Sequence, residues 1–138
     1  MKTEKITVQA IIAADRKKVW DYYTNPVHIT KWNFASDDWE CPAASNDMRT
    51  GGKYSARMEA KDGSFGFDFE AIYDDIIVGE KFNYTMGDGR KATVIFKDLG
   101  NKTEVSVTFD TETENSAEMQ RDGWQAILNN FKKYTEAN

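Results

Sequence analysis

Apolar and polar positions alternate along most of the chain, and the alternation gives way to a helical period in two places. Ile6, Val8, Ala10 and Ile12 share one face of the first segment, the pattern of a half-buried strand. Asp15 follows in the place of a helix N-cap, because its carboxylate can accept an orphan backbone N–H. Val19, Trp20 and Tyr23 then fall at helical spacing, and Asn25-Pro26 stops that helix and starts a short second one, which runs to about Trp32. Residues 33 to 46 read as irregular, although they carry Phe34 and Trp39.

From Met48 onward the pattern is antiparallel β. Tyr54, Ala56, Met58 and Ala60 alternate with Ser55, Arg57, Glu59 and Lys61. Asp62-Gly63 is a hairpin signal, since a tight turn needs positive φ there. Phe65, Phe67, Phe69, Ala71 and Tyr73 share the next face, opposite Asp68 and Glu70. After Gly79 come Phe82, Tyr84 and Met86. Gly87-Asp88-Gly89 then turns the chain into Ala92, Val94 and Phe96, and Gly100-Asn101 into Thr103, Val105, Val107 and Phe109. One face of this sheet is dry and the other wet. The last segment changes period: Trp124, Ile127, Leu128, Phe131 and Tyr134 line one face of a long helix that Ser116 can cap. The order is strand, two short helices, about six more strands and a C-terminal helix. It predicts an α+β layer fold, with the helix on the dry face of the sheet.

The length of 138 residues predicts one domain over residues 1–138. A net charge of −5 argues against a nucleic-acid partner, which calls for a cationic surface, and against docking on an anionic membrane. The longest apolar run is Ala10 to Ala14, far short of a membrane span of about 20 residues. The start of the chain has no apolar stretch of the kind a secretory signal carries. A cytoplasmic location is therefore expected. Cys41 is the only cysteine and His28 the only histidine. This excludes an intrachain disulfide and most zinc frameworks, and no metal or cofactor is expected. There is no P-loop, dinucleotide-binding glycine string or nucleophile elbow.

A curled sheet of six or seven strands is too wide for one helix of about 10–12 Å diameter to fill. The short helices and the aromatic loop must close the ends, and whatever gap remains holds a ligand or water. Gly123 bears on this. A glycine within a helix costs about 1 kcal/mol relative to alanine, so its place before Trp124 signals a close backbone approach, space left at the helix face, or packing alone.

Several strings, in order, resemble one family. These are Val19-Trp20-Asp21-Tyr22-Tyr23-Thr24-Asn25-Pro26, His28 with Lys31-Trp32, Asp47-Met48-Arg49-Thr50-Gly51-Gly52, Arg57-Met58-Glu59-Ala60-Lys61-Asp62-Gly63, Gly123-Trp124 and Leu128-Asn129-Asn130-Phe131. Together they are similar to the activators of the heat-shock-protein-90 ATPase and their bacterial homologues. That family lies within the helix-grip superfamily of START lipid-transfer domains and the birch-pollen allergen. The resemblance covers nearly the whole chain. It implies a curved antiparallel sheet of about seven strands wrapped around the C-terminal helix, a pocket between them, and a link to the stress response. It supplies no agreed catalytic residues.

The candidate ligand-binding residues follow from this arrangement. Trp32, Phe34 and Trp39 are expected near one end of the pocket. Met58, Phe67, Phe69, Tyr84 and Phe96 would line the sheet side, and Trp124, Ile127 and Leu128 the helix side, with Gln120 or Arg49 as a polar handle. Such pockets are mainly apolar with a few placed polar groups. The competing reading is a filled aromatic core. His28 reads as a structural or surface residue before it reads as a general base, and Asp47 with Arg49 as an ion pair pinning a bend. Asp68 and Glu70 read as a solvated sheet face. Cys41 has no cationic neighbour to lower its thiol pKa. The favoured function is binding of a small hydrophobic or aromatic molecule. The alternatives are a co-chaperone that stimulates a heat-shock-protein-90-type ATPase and, third, a polyketide-cyclase-like enzyme. The protein is expected to be a monomer or homodimer.

Overall fold

A computed structural model describes residues 4–138. Strand β1 (Lys5–Ile12) leads into helices α1 (Arg16–Thr24) and α2 (Pro26–Trp32). Six strands follow: β2 (Trp39–Asn46), β3 (Lys53–Ala60), β4 (Gly66–Ile77), β5 (Lys81–Met86), β6 (Lys91–Asp98) and β7 (Thr103–Asp110). Helix α3 (Ala117–Ala137) ends the chain. Two of the three helix caps, Asp15 and Ser116, are those the sequence signals, and Asn25 is the third. The Asp15 carboxylate accepts from the Lys18 N–H at 2.9 Å, and the Asn25 side chain accepts from the Val27 N–H at 3.1 Å. Ser116 accepts from the Met119 N–H at 3.1 Å.

The seven strands form one antiparallel sheet in the order β1-β7-β6-β5-β4-β3-β2. The sheet curls around α3 in a half-barrel, the helix-grip arrangement. A run of hairpins builds it from β2 to β7, and β1 closes on β7 with Ile6 opposite Phe109 and Val8 opposite Val107.

The segment from residue 39 to 46 corrects the sequence reading, because it is a strand and not an irregular loop. It pairs with β3 from Trp39↔Ala60 to Asn46↔Tyr54, and the register shifts between Glu40 and Ala43. Cys41 and Pro42 occupy that shift. The irregularity breaks the period-two pattern, and proline is tolerated in a strand only at an edge or a bulge.

The two sheet edges are β1 and β2. On β1, the Lys132 ammonium donates to the Ile11 carbonyl at 2.7 Å and the Gln125 amide to the Gln9 carbonyl at 3.1 Å. Glu136 accepts from the Ala13 N–H at 2.7 Å. On β2, the Asn46 amide donates to the Thr24 carbonyl at 2.7 Å, tying the strand to the end of α1.

Aromatic rings gather where α1 and α2 meet the C-terminal half of α3. The Phe131 ring lies 5.0 Å from Tyr23 and 4.9 Å from Trp32. Phe96 sits 5.0 Å from Trp20 and 5.4 Å from Tyr23. These mostly edge-to-face contacts are the arrangement aromatic quadrupoles prefer.

Candidate functional site

Beneath the N-terminal half of α3 the packing opens into a cavity of about 270 Å³. A dry engineered cavity of about 150 Å³ holds one benzene, so this space suits a molecule of about two fused rings. Strand β3 contributes Tyr54 and Met58, β4 contributes Phe67, Phe69 and Tyr73, and β5 contributes Phe82 and Tyr84. Val107 of β7, Tyr23 of α1, Trp32 of α2, Asn33, and Trp124, Ile127 and Leu128 of α3 complete the wall, with Arg90 beside the β5–β6 turn.

The structure thus brings Trp32, Met58, Phe67, Phe69, Tyr84, Trp124, Ile127 and Leu128 around one space. The competing reading, a filled aromatic core, does not hold here, because Phe67 and Trp124 line the space without closing it. Phe67 is 45% exposed, and Trp124 stacks on Phe109 at 4.3 Å and 9°. Phe96 is not in the wall; it lies in the aromatic core against Trp20 and Tyr23. Four of the sequence candidates therefore stand elsewhere. Besides Phe96, Trp39 packs with Phe65 and Phe67 at the outer end of β2 and β4. Phe34 flanks a shallow groove with Asn130 and Lys133. Gln120 is committed to the loop before α3: it accepts from the Glu112 N–H at 2.8 Å and donates to the Glu112 and Asn115 carbonyls. A Cβ at Gly123 would meet nothing within 4 Å. No backbone approaches it closely, and room is left beside the helix one turn before Ile127.

The polar groups of the wall are mostly phenols. The Tyr73 hydroxyl donates to Asn46 Oδ1 at 2.7 Å, and the Tyr54 hydroxyl accepts from Asn33 Nδ2 at 3.1 Å. The Tyr84 and Tyr23 hydroxyls have no hydrogen-bond partner among the described residues. Burial pushes the pKa values of Tyr23, Tyr54 and Tyr84 far up, and the neighbouring phenols add to the rise. All three therefore stay neutral O–H groups at any ordinary pH. Burial also pushes the Cys41 thiol up to about 11, against hydrogen bonds with Ala43 and Asn33, so it is not a reactive thiolate.

Arg90 is the cation of the cavity. Its Nε donates to Asp88 Oδ2 at 2.6 Å and its backbone N–H to Asp88 Oδ1 at 3.1 Å. Arg49, one handle named from the sequence, is turned to solvent and paired with Asp47 at 2.7 Å. His28 is also outside the wall. Its Nδ1 lies 2.8 Å from the Tyr134 hydroxyl, its ring stacks on Tyr22 at 3.9 Å, and Asp21 stands 3.8 Å from Nε2. Glu70 pairs with Lys53 at 2.9 Å and Asp68 with Arg57 at 3.5 Å on the wet sheet face.

The family described as Activator of Hsp90 ATPase homolog 1-like protein matches residues 13–136. The chain belongs to that family. The AHSA1-like protein of Aeromonas hydrophila, solved by NMR, is 39% identical, with a TM-score of 0.91 over 97% of this chain and 93% of that one. A solution structure from Cytophaga hutchinsonii is 48% identical, with a TM-score of 0.83 and the same coverage. A crystal structure from Chromobacterium violaceum, 20% identical with a TM-score of 0.85 over 97% of this chain and 98% of that one, shares the fold. No curated protein matches the chain. No helix among the described residues is long and apolar enough to cross a membrane, and among them no group of three or more metal-ligating side chains gathers.

Sequence reasoning missed Arg90, Tyr23, Asn33, Tyr54, Tyr73, Phe82 and Val107 as wall residues. The tyrosines and Phe82 carried a signal, since they lie on the dry faces of their elements. Arg90 carried none, because a cation after a hairpin turn reads as a solvated charge.

Proposed function

We propose that this AHSA1-like protein binds a small hydrophobic or aromatic molecule in the cavity between the sheet and α3. The single observation that supports the reading is the unfilled space of about 270 Å³, walled mainly by aromatic and aliphatic side chains where a protein interior is ordinarily close-packed. Aromatic walls give large contact area with few rotors to freeze. The wall has no carboxylate, histidine or lysine, so a reaction that needs a group titrating near neutrality has less support than simple binding.

Naphthalene is a suitable first probe. Added to the isotopically labelled protein, it is expected to shift the amide resonances around Met58, Tyr84 and Ile127 and to saturate at one equivalent. Ile127→Trp, which fills the cavity, is expected to abolish the shifts. Resonances that do not move with naphthalene or with its polar derivatives would remove the reading.

A second reading, stimulation of a heat-shock-protein-90-type ATPase, is supported by the family description alone. Its test is the ATPase rate of the purified chaperone with a molar excess of this protein. An unchanged rate removes it.

A further inference from the structure

The cavity wall holds several unused hydrogen-bond donors and a single cation. Tyr84 is 7% exposed, and its hydroxyl has no partner among the described residues. Tyr54 receives a hydrogen bond from Asn33, but its own proton is given to nothing. Tyr23 is in the same position. Arg90 offers five N–H donors, and Asp88 takes only the one on Nε. Asp88 also holds the Arg90 backbone N–H, so one carboxylate fixes both ends of that residue. The terminal guanidinium nitrogens have no partner among the described residues. Tyr73 is the contrast within the same wall, because its proton is already placed on Asn46.

These groups line one cavity and all can donate, so a molecule lodged against them is matched by acceptors. The wall contains no carboxylate to receive a cationic ligand. A buried ammonium would lose its hydration without compensation. Tyr84 pairs with Ala92 across the β5–β6 hairpin, and Arg90 stands just before β6, two residues ahead of Ala92, so both donors reach the cavity wall from the same hairpin. The Arg90 side chain is 26% exposed, which places it at the edge of the cavity and not in its floor.

We propose that the bound molecule carries an acceptor-oxygen head, a carboxylate, which lies against the Arg90 guanidinium and the Tyr84 hydroxyl while its aromatic or aliphatic body fills the cavity under α3. This rests on the cavity-binding reading above and adds the chemical class of the ligand. A forked guanidinium is suited to two carboxylate oxygens. The pre-set hydrogen bond to Asp88 removes part of the cost of ordering it.

The test keeps one body and changes the head: naphthalene, 2-naphthoate and 2-naphthylmethylammonium, titrated at pH 7 by calorimetry. The carboxylate is expected to bind about tenfold tighter than the bare hydrocarbon, from hydrogen bonds to a charged group, and the ammonium more weakly than either. Arg90→Met is expected to erase the advantage of naphthoate over naphthalene measured in the same variant, and Arg90→Lys to restore part of it. Tyr84→Phe is expected to weaken naphthoate about threefold, the loss of one hydrogen bond. Thermal melts of the variants check that each is folded, and the ratio of naphthoate to naphthalene affinity is read within each variant. Naphthalene binding with no gain for naphthoate, or a gain that survives Arg90→Met, overturns the head-group assignment alone. No binding by any of the three overturns the cavity reading with it.

Discussion

Along the C-terminal half of α3, Leu128, Phe131 and Thr135 are 2%, 0% and 0% exposed. Along the N-terminal half, Gly123, Trp124 and Ile127 remain partly open. The sheet and the helix are the same in both places. The difference lies in what stands between them. Adjacent strands are about 4.8 Å apart, so seven span about 29 Å if laid flat, and a helix of about 10–12 Å fills less than half of that width. Under the C-terminal half, Trp20, Tyr23 and Trp32 of the short helices supply the missing volume. Under the N-terminal half Tyr23 and Trp32 serve only as wall, and Met58, Phe67 and Phe69 of β3 and β4 face open space. Stability and recognition are therefore divided along one helix. One half carries the close packing, and the other keeps a volume that the protein's own side chains do not occupy.

The largest contrast is expected from truncating the two halves. Phe131→Ala should cost about 3–5 kcal/mol, as for a buried phenylalanine in a tight core. Ile127→Ala should cost about 1 kcal/mol, because a partly open side chain loses less burial. Urea unfolding of both variants measures this, and equal costs would dissolve the distinction. Next come two identical deletions in the cavity wall. Tyr73→Phe leaves Asn46 without its donor and should cost about 1–1.5 kcal/mol. Tyr84→Phe removes a hydroxyl that has no protein partner and should change stability by less than about 0.5 kcal/mol.

A smaller effect of opposite sign is expected at Gly123. An added Cβ meets nothing within 4 Å, so Gly123→Ala should stabilise by about 0.5–1 kcal/mol through helix propensity. A fall in melting temperature would mean that the space beside the helix is not free. The smallest effect belongs to neither half. The Asp110 carboxyl is held below its usual pKa by the hydrogen bond from Lys5, against a smaller upward pull from burial, with help from the Lys91 N–H. Because the folded value is depressed, its contribution is complete above the unfolded carboxylate pKa and is lost as pH falls through the folded one. Melting temperatures of wild type and Asp110→Asn should therefore differ slightly at pH 7 and converge below about pH 3.8, the ordinary value. A gap that persists into acid would assign the effect to something other than the charge.

The sequence made much of this arrangement legible, and the reasons are local. Period-two faces such as Val105, Val107 and Phe109 need only the pleat to be read, and the cap at Asp15 only its own carboxylate. Strand β2 was hidden because Cys41 and Pro42 sit in a register shift that breaks the alternation. The cavity wall was legible only in part. Met58, Phe69 and Ile127 announce a dry face, but whether a dry face meets a neighbour or empty space depends on the curl of the sheet, which no short segment encodes. Phe96 and Tyr84 lie on dry faces of adjacent strands, yet Phe96 ends under α1 and Tyr84 beside the cavity. Arg90 comes to the wall by a turn geometry that its neighbours in sequence do not reveal.

The guarded edges of the sheet have a consequence of their own. A half-barrel leaves two rims of backbone on which a neighbour's strand can zip. At one rim Lys132 and Gln125 already occupy the carbonyls of Ile11 and Gln9, and at the other Pro42 withholds a donor in mid-strand. A chain that keeps a hollow for a guest gives up some packing around it and opens more easily there. These two blocked rims keep such an opening from becoming an invitation to fibre growth.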